Sequence, residues 1–372
     1  MKVLLIFTYE YSLKTWEDSG TLGRELSIYK ELENTYGHSF TFLTYGDETD
    51  LDCNLEGTNI HVVPIYKYIK KSKIKFINFI KTFYFAFTYR KKFKDIDLIK
   101  QNQLLGSWVS IILKVLNKIP LFTRTGYDMY KFSLEQNNKK LIHFLYLCLT
   151  KFTIKYSDLY SLSNAEDLNF YKKQYSLDKF ILRQNWVLSV ETSDFEDREK
   201  NKILSVGRLE KQKNLFYTLN ELSKFDFEVD IVGEGNDLDE LIKESKKLDI
   251  KVNFLGKISN ENLINLYSNY KYFISSSLYE GHPKTVIEAM SSGCIVFLSN
   301  IPNHVELVDD GVNGFIFDLE TNKLSNKIKT VLDNNYDLKQ ISNNSINTTR
   351  EKFNLQKISN QENEDYKFLK KL

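Results

Sequence analysis

Short apolar runs alternate with longer amphipathic stretches along the whole chain. KVLLIF opens it, followed by a glycine-containing loop, WEDSGTLG, and by the helical RELSIYKELEN. SFTFLTY and NIHVVPIY read as further strands, then DLIKQN, PLFTRT and DLYSLSN, with amphipathic stretches between them. A short apolar run bounded by turn residues fits a buried strand. Its alternation with helical stretches favours a parallel sheet covered by helices. The rhythm pauses at SVETSDFEDREKNK, residues 189–202, which is polar, heavily charged and without periodicity. It restarts with ILSVG, EVDIVGEG, KVNFLG, YFISSS, CIVFLSN and GFIFD. The pattern predicts an α/β chain of two doubly wound, Rossmann-like domains facing each other across a cleft. The first spans 1–190, a linker 191–201, the second 202–350. A charged helix over 351–372 is expected to pack back on the first domain.

Composition adds little to this picture and removes several alternatives. A chain of 372 residues with 42% apolar content suits two cores. A net charge of +2 argues against a nucleic-acid binder that relies on overall charge, and no RNA- or DNA-binding module is visible. Cys53, Cys148 and Cys294 are scattered and form no CxxC pair, so neither a disulfide framework nor a zinc site is indicated. A reducing cytoplasm is expected. The apolar start is too short for a signal-peptide core. The best candidate for a spanning helix, LIHFLYLCLTKFTI, is interrupted by His143 and Lys151, so none is expected.

Residues 66–94 stand apart, with ten basic residues, ten aromatic ones and no acid. Phe76, Ile80, Phe83 and Phe87 recur there at helical spacing. Two readings are open: core-facing aromatics with a lysine-rich solvent face, or a basic amphipathic surface that rests on anionic lipid. The second would place a cytoplasmic protein at the inner face of the cell membrane and suit an acceptor carried on a lipid.

Ligands of doubly wound sheets bind beyond the carboxyl ends of the strands, so the residues after each strand of the second half matter most. Arg208 and Lys213 follow ILSVG. Two cations there would neutralise a diphosphate, or else are solvated surface charges. Gly233 and Gly235 follow VDIV and would let a ligand approach the backbone, or make a tight strand-to-helix turn. In YEGHPKTVIEAMSSG, Pro283 suits the first position of a helix that stops at Gly293. The N–H groups of Lys284, Thr285 and their neighbours, with the helix dipole, make an anion site. Glu280 precedes that site and Glu288 lies within the helix. Two carboxylates separated by an anion site suit a ligand with hydroxyls at both ends and phosphate in the middle, the shape of a nucleotide sugar. The alternative is an ordinary helix with an acidic residue near its start.

VGRLEKQKNL, VGEG, VNFLGKISNENLINLYSNYKYFISSSLYEGHPKTVIEAMSSG and ELVDDGVNGFIF follow one another in an order and spacing that resembles the retaining glycosyltransferases of family 4, which have the GT-B fold. The resemblance covers about residues 202–318. The first half shares only the glycine loop near Gly20 and the strand rhythm. It implies that Arg208 and Lys213 bind the donor diphosphate and stabilise the departing nucleotide. It implies that Glu288 bonds the ribose hydroxyls. Glu280 would contact the donor sugar, beside backbone groups of Gly281, His282, Pro283 and Lys284. Gly20 would face the phosphates. Cations and a helix start meet the charge that builds on the β-phosphate, so no metal is expected. The Asp95–Asp97 and Asp237–Asp239 pairs read as solvated charge.

The sequence departs from that family in LFTRTGY, where Thr125 stands in place of a histidine many members carry. Arg124 and Tyr127 are candidates to contact the donor sugar or the acceptor instead, against ordinary loop polarity. His282 is a candidate sugar contact or a helix cap, and Asn185 is expected to be structural. The sequence thus predicts a retaining transferase that moves a sugar from a nucleotide-sugar donor, expected to be a UDP-sugar, to a glycan or lipid-linked acceptor in cell-surface polysaccharide synthesis. The nucleotide sugar is a co-substrate and no other cofactor is implied. The alternatives are a nucleotide-sugar epimerase and a catalytically inert donor-binding subunit of the same fold.

Overall fold

A computed structural model describes residues 1–135, 140–188, 193–333 and 336–371. The apolar runs become strands of two parallel sheets. The first sheet holds β1 (Lys2–Ile6), β2 (Ser39–Thr44), β3 (His61–Pro64), β4 (Leu98–Asn102), β5 (Leu121–Thr125), β6 (Leu159–Leu162) and β7 (Phe180–Leu182). Their order is β3-β2-β1-β4-β5-β6-β7. The second holds β8 (Glu199–Val206), β9 (Glu228–Val232), β10 (Val252–Gly256), β11 (Tyr270–Ser275), β12 (Ile295–Ser299) and β13 (Phe315–Phe317), in the order β10-β9-β8-β11-β12-β13. Helices occupy the crossovers, as parallel pairing requires.

Each sheet reverses its strand order beside its first strand, between β1 and β4 and between β8 and β11. In the second unit the inner strands divide their side chains between two cores. Ile203, Ile231 and Ile274 join one apolar cluster, and Leu204, Val232 and Phe273 the other. This is the period-two alternation of a strand buried on both faces.

The chain divides into a unit of Met1–Gln184 with Leu355–Leu372 and a unit of Asn185–Asn354. The division therefore falls ahead of the stretch expected as a linker over 191–201, of which 191 and 192 lie outside the described residues. The polar stretch is tied into the second unit. Val187 N–H donates to the Phe353 carbonyl at 2.9 Å, and the buried Phe195 joins one of its cores. The charged residues Glu199 and Lys200 are the exposed start of β8. Among the described residues of that stretch, polarity goes with solvent exposure along a strand and a turn.

The C-terminal helix, Leu355–Lys370, belongs to the first unit and packs on the Leu22–Tyr36 helix. Its Asn363 meets His38 Nε2 at 2.9 Å, and its Asp365 takes both Arg183 Nε and Nη2 at 2.6 Å. Its Glu362 receives the ammonium of Lys100 from β4, with both side chains buried.

Two local expectations change. The segment after β1 is not an open glycine loop, because Ser12 and Thr15 cap each other in a capping box and start a helix, Leu13–Asp18. Gly20 comes after that helix, at φ +66°. Of Phe76, Ile80, Phe83 and Phe87, Phe83 turns inward and stacks on the buried Trp108, while the other three are exposed. The Lys75–Tyr89 helix buries Asn78, Thr82, Phe85 and Ala86 instead.

Candidate functional site

Where strand order reverses, the loops after neighbouring strands diverge and leave a crevice at their carboxyl ends. In the second unit, β8 and β11 flank that point. The segment 207–214 leaves β8 and the segment 276–283 leaves β11. Polar contacts knit the two together. Leu278 N–H donates to the Gln212 carbonyl at 2.9 Å, Gln212 Nε2 to the Tyr279 carbonyl at 2.8 Å, and Ser276 Oγ to the Lys213 carbonyl at 3.1 Å.

That knitting sets Lys213 against Glu280. Lys213 Nζ lies 2.5 Å from Glu280 Oε1, and Ser277 Oγ donates to the same oxygen at 2.7 Å. The Glu280 side chain is 9% exposed and that of Lys213 16%. Burial works to raise the Glu280 carboxyl, but the Lys213 ammonium and the Ser277 hydroxyl outweigh it and hold the group below the usual carboxylate range. Glu280 is thus a charged acceptor with a cation already beside it.

Arg208 follows Gly207. Its guanidinium bonds Gln212 Oε1 at 3.2 Å and pairs with Glu210 at 3.2 Å, yet the side chain is 65% exposed. It is an accessible cation on a loop whose backbone is fixed. Gly233 stands at φ +139°, and a Cβ there would lie 1.9 Å from the Gly207 carbonyl oxygen. A Cβ on Gly235 would lie 2.2 Å from the Leu209 carbonyl oxygen. Both glycines are therefore required by the loop of Arg208 passing over the end of β9. This packing gives Gly233 a structural reason of its own, whatever ligand approaches it.

The helix after Glu280 runs Lys284–Ser291, with Pro283 as its N-cap at φ −74° rather than its first residue. The first intrahelical bond runs from Ile287 N–H to the Pro283 carbonyl, 3.2 Å. The amides of Thr285 and Val286 precede it and project from the positive end of the helix. The helix ends before Gly293, whose φ of +77° and close contact with Ser342 exclude a side chain. Lys284 lays its ammonium over the Trp186 ring, 4.7 Å from the centroid. Gly281 is buried.

His282 is bonded to Asn185. Its Nδ1 accepts the Asn185 N–H at 3.2 Å, its carbonyl accepts Asn185 Nδ2 at 2.7 Å, and its ring edge meets Phe353. It anchors the loop to the first residue of the second unit. Glu288 is buried and accepts from Asn260 Nδ2 at 3.0 Å and Tyr267 OH at 3.4 Å.

The structure brings Arg208, Lys213, Glu280 and the start of the Lys284–Ser291 helix to one switch point, with Glu288 about one turn along that helix. Gly20, Arg124 and Tyr127 belong to the first unit. Arg124 Nη2 donates to the Gln184 carbonyl at 3.4 Å, and its charge bears on Glu362. Tyr127 packs against Phe132 with the rings tilted by 42°, and Thr125 Oγ1 donates to the Ser161 carbonyl at 3.2 Å. The sequence reading missed Gln212, Ser277, Asn260 and Tyr267, which hold the named residues in place. Their polar side chains fall at loop and helix positions where such residues are ordinary, so only the serine run before Glu280 carried a signal.

Residues 191–348 match the family of Glycosyl transferases group 1. Among related proteins is the Campylobacter jejuni enzyme named GalNAc-alpha-(1->4)-GalNAc-alpha-(1->3)-diNAcBac-PP-undecaprenol alpha-1,4-N-acetyl-D-galactosaminyltransferase. It is 26% identical over 53% of this chain and 56% of its own length. The chain therefore spans about half the length of that relative. The capsular polysaccharide biosynthesis glycosyltransferase CapH of Staphylococcus aureus is 24% identical over 71% of this chain and 73% of its own. Among solved structures, sucrose-phosphate synthase of Thermosynechococcus elongatus superposes with a TM-score of 0.80 at 16% identity, covering 99% of each chain. Anabaena HepE in complex with UDP and glucose gives 0.75 at 15% identity, covering 98% of this chain and 99% of that one. These structures share the GT-B fold with this chain. Within that fold, residues 191–348 of the second unit carry the domain of the group 1 glycosyl transferases.

Proposed function

We propose that the chain is a retaining glycosyltransferase that moves a sugar from a nucleoside-diphosphate donor, a UDP-sugar, to a glycan or lipid-linked acceptor in cell-surface polysaccharide synthesis. The observation that carries this reading is the buried Lys213–Glu280 pair beside the exposed Arg208 and a helix start, all at one switch point. Breaking a glycosidic bond to a diphosphate places negative charge on the β-phosphate. Lys213, Arg208 and the Thr285 and Val286 amides supply fixed positive charge for it, and preorganised charge lowers the barrier most where water is excluded. Glu280 is placed to accept a hydroxyl of the sugar while orienting Lys213. Glu288, steadied by Asn260 and Tyr267, presents a carboxylate for ribose hydroxyls. The relatives support the choice of donor and acceptor by analogy. HepE holds UDP and glucose, and the Campylobacter enzyme is named for an undecaprenol-linked glycan.

The donor chemistry here needs no metal, because cations of the chain do the neutralising. The test is slow hydrolysis of UDP- and GDP-sugars by purified protein with EDTA present, alongside Arg208→Ala, Lys213→Ala and Glu280→Gln. The reading expects one sugar nucleotide to be turned over with retention at the anomeric carbon. Arg208→Ala and Lys213→Ala should each cost about 100-fold or more, the usual loss when one donor to a developing oxyanion is removed, and Glu280→Gln should also lower turnover by weakening the hold on Lys213 and on the sugar hydroxyl. Turnover restored only by a divalent cation, or unchanged in all three variants, would count against it.

A further inference from the structure

Two helices of the first unit turn their apolar sides outward. On Lys75–Tyr89, Phe76 (70% exposed), Ile80, Tyr84 and Phe87 form a solvent-facing stripe, continued by Ile74 at the helix start. On Lys140–Tyr156, Leu141, Phe144 (61% exposed), Leu145 and Phe152 do the same, with the exposed Cys148 among them. Their spacing of three, four, seven and eleven residues puts these side chains on one side of that helix. Thr150, Thr153 and Ile154 occupy the opposite, buried side. A surface helix ordinarily does the reverse. An apolar patch of this extent marks a surface that meets something apolar.

The two helices are neighbours of a third, Ser107–Asn117, which ties them together. Trp108 Nε1 donates to Thr82 Oγ1 of the first at 2.9 Å, and Ser107 Oγ meets Thr153 Oγ1 of the second at 2.7 Å. Lysines dominate the ionisable side chains around both stripes, with Glu10 paired to Lys75 at 3.8 Å. Lys67, Lys70, Lys71, Lys73, Lys75, Lys91, Lys92 and Lys94 are exposed about the first, and Lys140, Lys151 and Lys155 on the second. Neither 66–94 nor 140–156 contains an aspartate or glutamate.

The geometry points to a single docking face, built from the Lys75–Tyr89 and Lys140–Tyr156 helices, that lies on a bilayer containing anionic phospholipid. Apolar stripes at this depth would enter the boundary of headgroups and acyl chains, with both helices in the plane of the surface. The lysines reach phosphate oxygens, their stems lying along the apolar side chains. Charge decides against a second copy of the chain, since a twofold contact would press two basic faces together. Among the described residues no helix is long and apolar enough to cross a membrane, so the contact is with the surface. Residues 66–94 carry this signal in sequence. Lys140–Tyr156 does not, because in sequence it reads as a candidate spanning helix that His143 and Lys151 interrupt.

Co-sedimentation of the full chain with vesicles tests this, using phosphatidylcholine alone or with phosphatidylglycerol. Three variants accompany the wild type: Phe76→Ser with Ile80→Ser, Phe144→Ser with Leu145→Ser, and Lys70→Glu with Lys71→Glu and Lys73→Glu. All these side chains are exposed, so folding is kept, and an unchanged far-UV spectrum verifies it. Binding to the anionic vesicles alone, weakened by salt and reduced about tenfold or more in each variant, is expected. No binding, equal binding to neutral vesicles, or loss from only one of the two helices overturns the joint face. So does a wild-type dimer in sedimentation velocity that the serine variants break without any vesicle binding. The inference does not rest on the donor reading, and UDP binding by the same variants keeps the two apart.

Discussion

At the scale of single residues, the site is a set of charges whose protonation states the fold dictates. Glu280 stays ionised although it is nearly buried, because Lys213 and Ser277 serve it. His304 shows the opposite case. It is fully buried near that pair, with Nδ1–H on the Ser299 carbonyl at 3.0 Å. Burial pushes its pKa down to about 4, against weaker upward pulls from Glu280 and the Ser299 carbonyl. A base depressed in the folded state is neutral there while the unfolded chain takes up the proton. Its contribution to stability is therefore complete above the unfolded value of about 6.5 and lost as pH falls toward 4. At about 1.36 kcal/mol per pH unit the loss reaches about 3 kcal/mol. Urea unfolding at about pH 7.5 and about pH 4.5 measures it. The wild type should lose about 3 kcal/mol more than His304→Gln across that interval, and parallel losses would show that His304 does not titrate this way.

At the scale of elements, strands were the most legible part of the sequence. Every run quoted above as a strand lies in or over a strand, because a strand buried on both faces writes itself as a continuous apolar run. Phe180–Leu182 escaped notice, being three residues flanked by Lys179 and Arg183. Caps were legible to within one residue, as at Pro283, where a fixed φ suits either the cap or the first position. The glycines after β9 were legible as a turn but not for their cause, which lies in a backbone segment distant in sequence. Gly233→Ala tests that cause. Its Cβ would collide with the Gly207 carbonyl and its φ of +139° disfavours any side chain. A loss of about 2 kcal/mol or more is expected in urea unfolding, with weaker UDP binding because the Arg208 loop is displaced. An alanine variant as stable as wild type would remove that loop from the account.

At the scale of the whole molecule, the chain completes its first unit with its last helix. The outward aromatic stripes show why burial direction was not legible. Periodicity gives the apolar face of a helix but not what that face meets, and the Lys75–Tyr89 helix is held through Asn78, Thr82, Phe85 and Ala86. The C-terminal helix was legible as a charged helix, while its anchor, Lys100 with Glu362, needed the structure. Burial lowers the Lys100 pKa, and Glu362 works against that shift. Tyr366 OH also donates to Glu362. Lys100→Met strands a buried carboxylate and should cost about 3–5 kcal/mol. Adding Glu362→Gln should return at least half of that in the same denaturation measurement. A double variant no better than the single would mean that Lys100 acts by packing alone.

The central claim is that the second unit grips a nucleoside diphosphate through Lys213, Arg208 and the start of the Lys284–Ser291 helix, and its ribose through Glu288. Calorimetric titration of UDP and of uridine into the wild type, Lys213→Ala and Arg208→Ala tests it most directly. UDP should bind the wild type about 100-fold or more tightly than uridine does, as expected for two charge-assisted contacts at about 1.4 kcal/mol per tenfold. Each variant should weaken UDP by about tenfold, closing about half of that gap in free energy, while leaving uridine unaffected. Equal affinity for the two ligands, or a UDP affinity indifferent to both substitutions, would contradict the account.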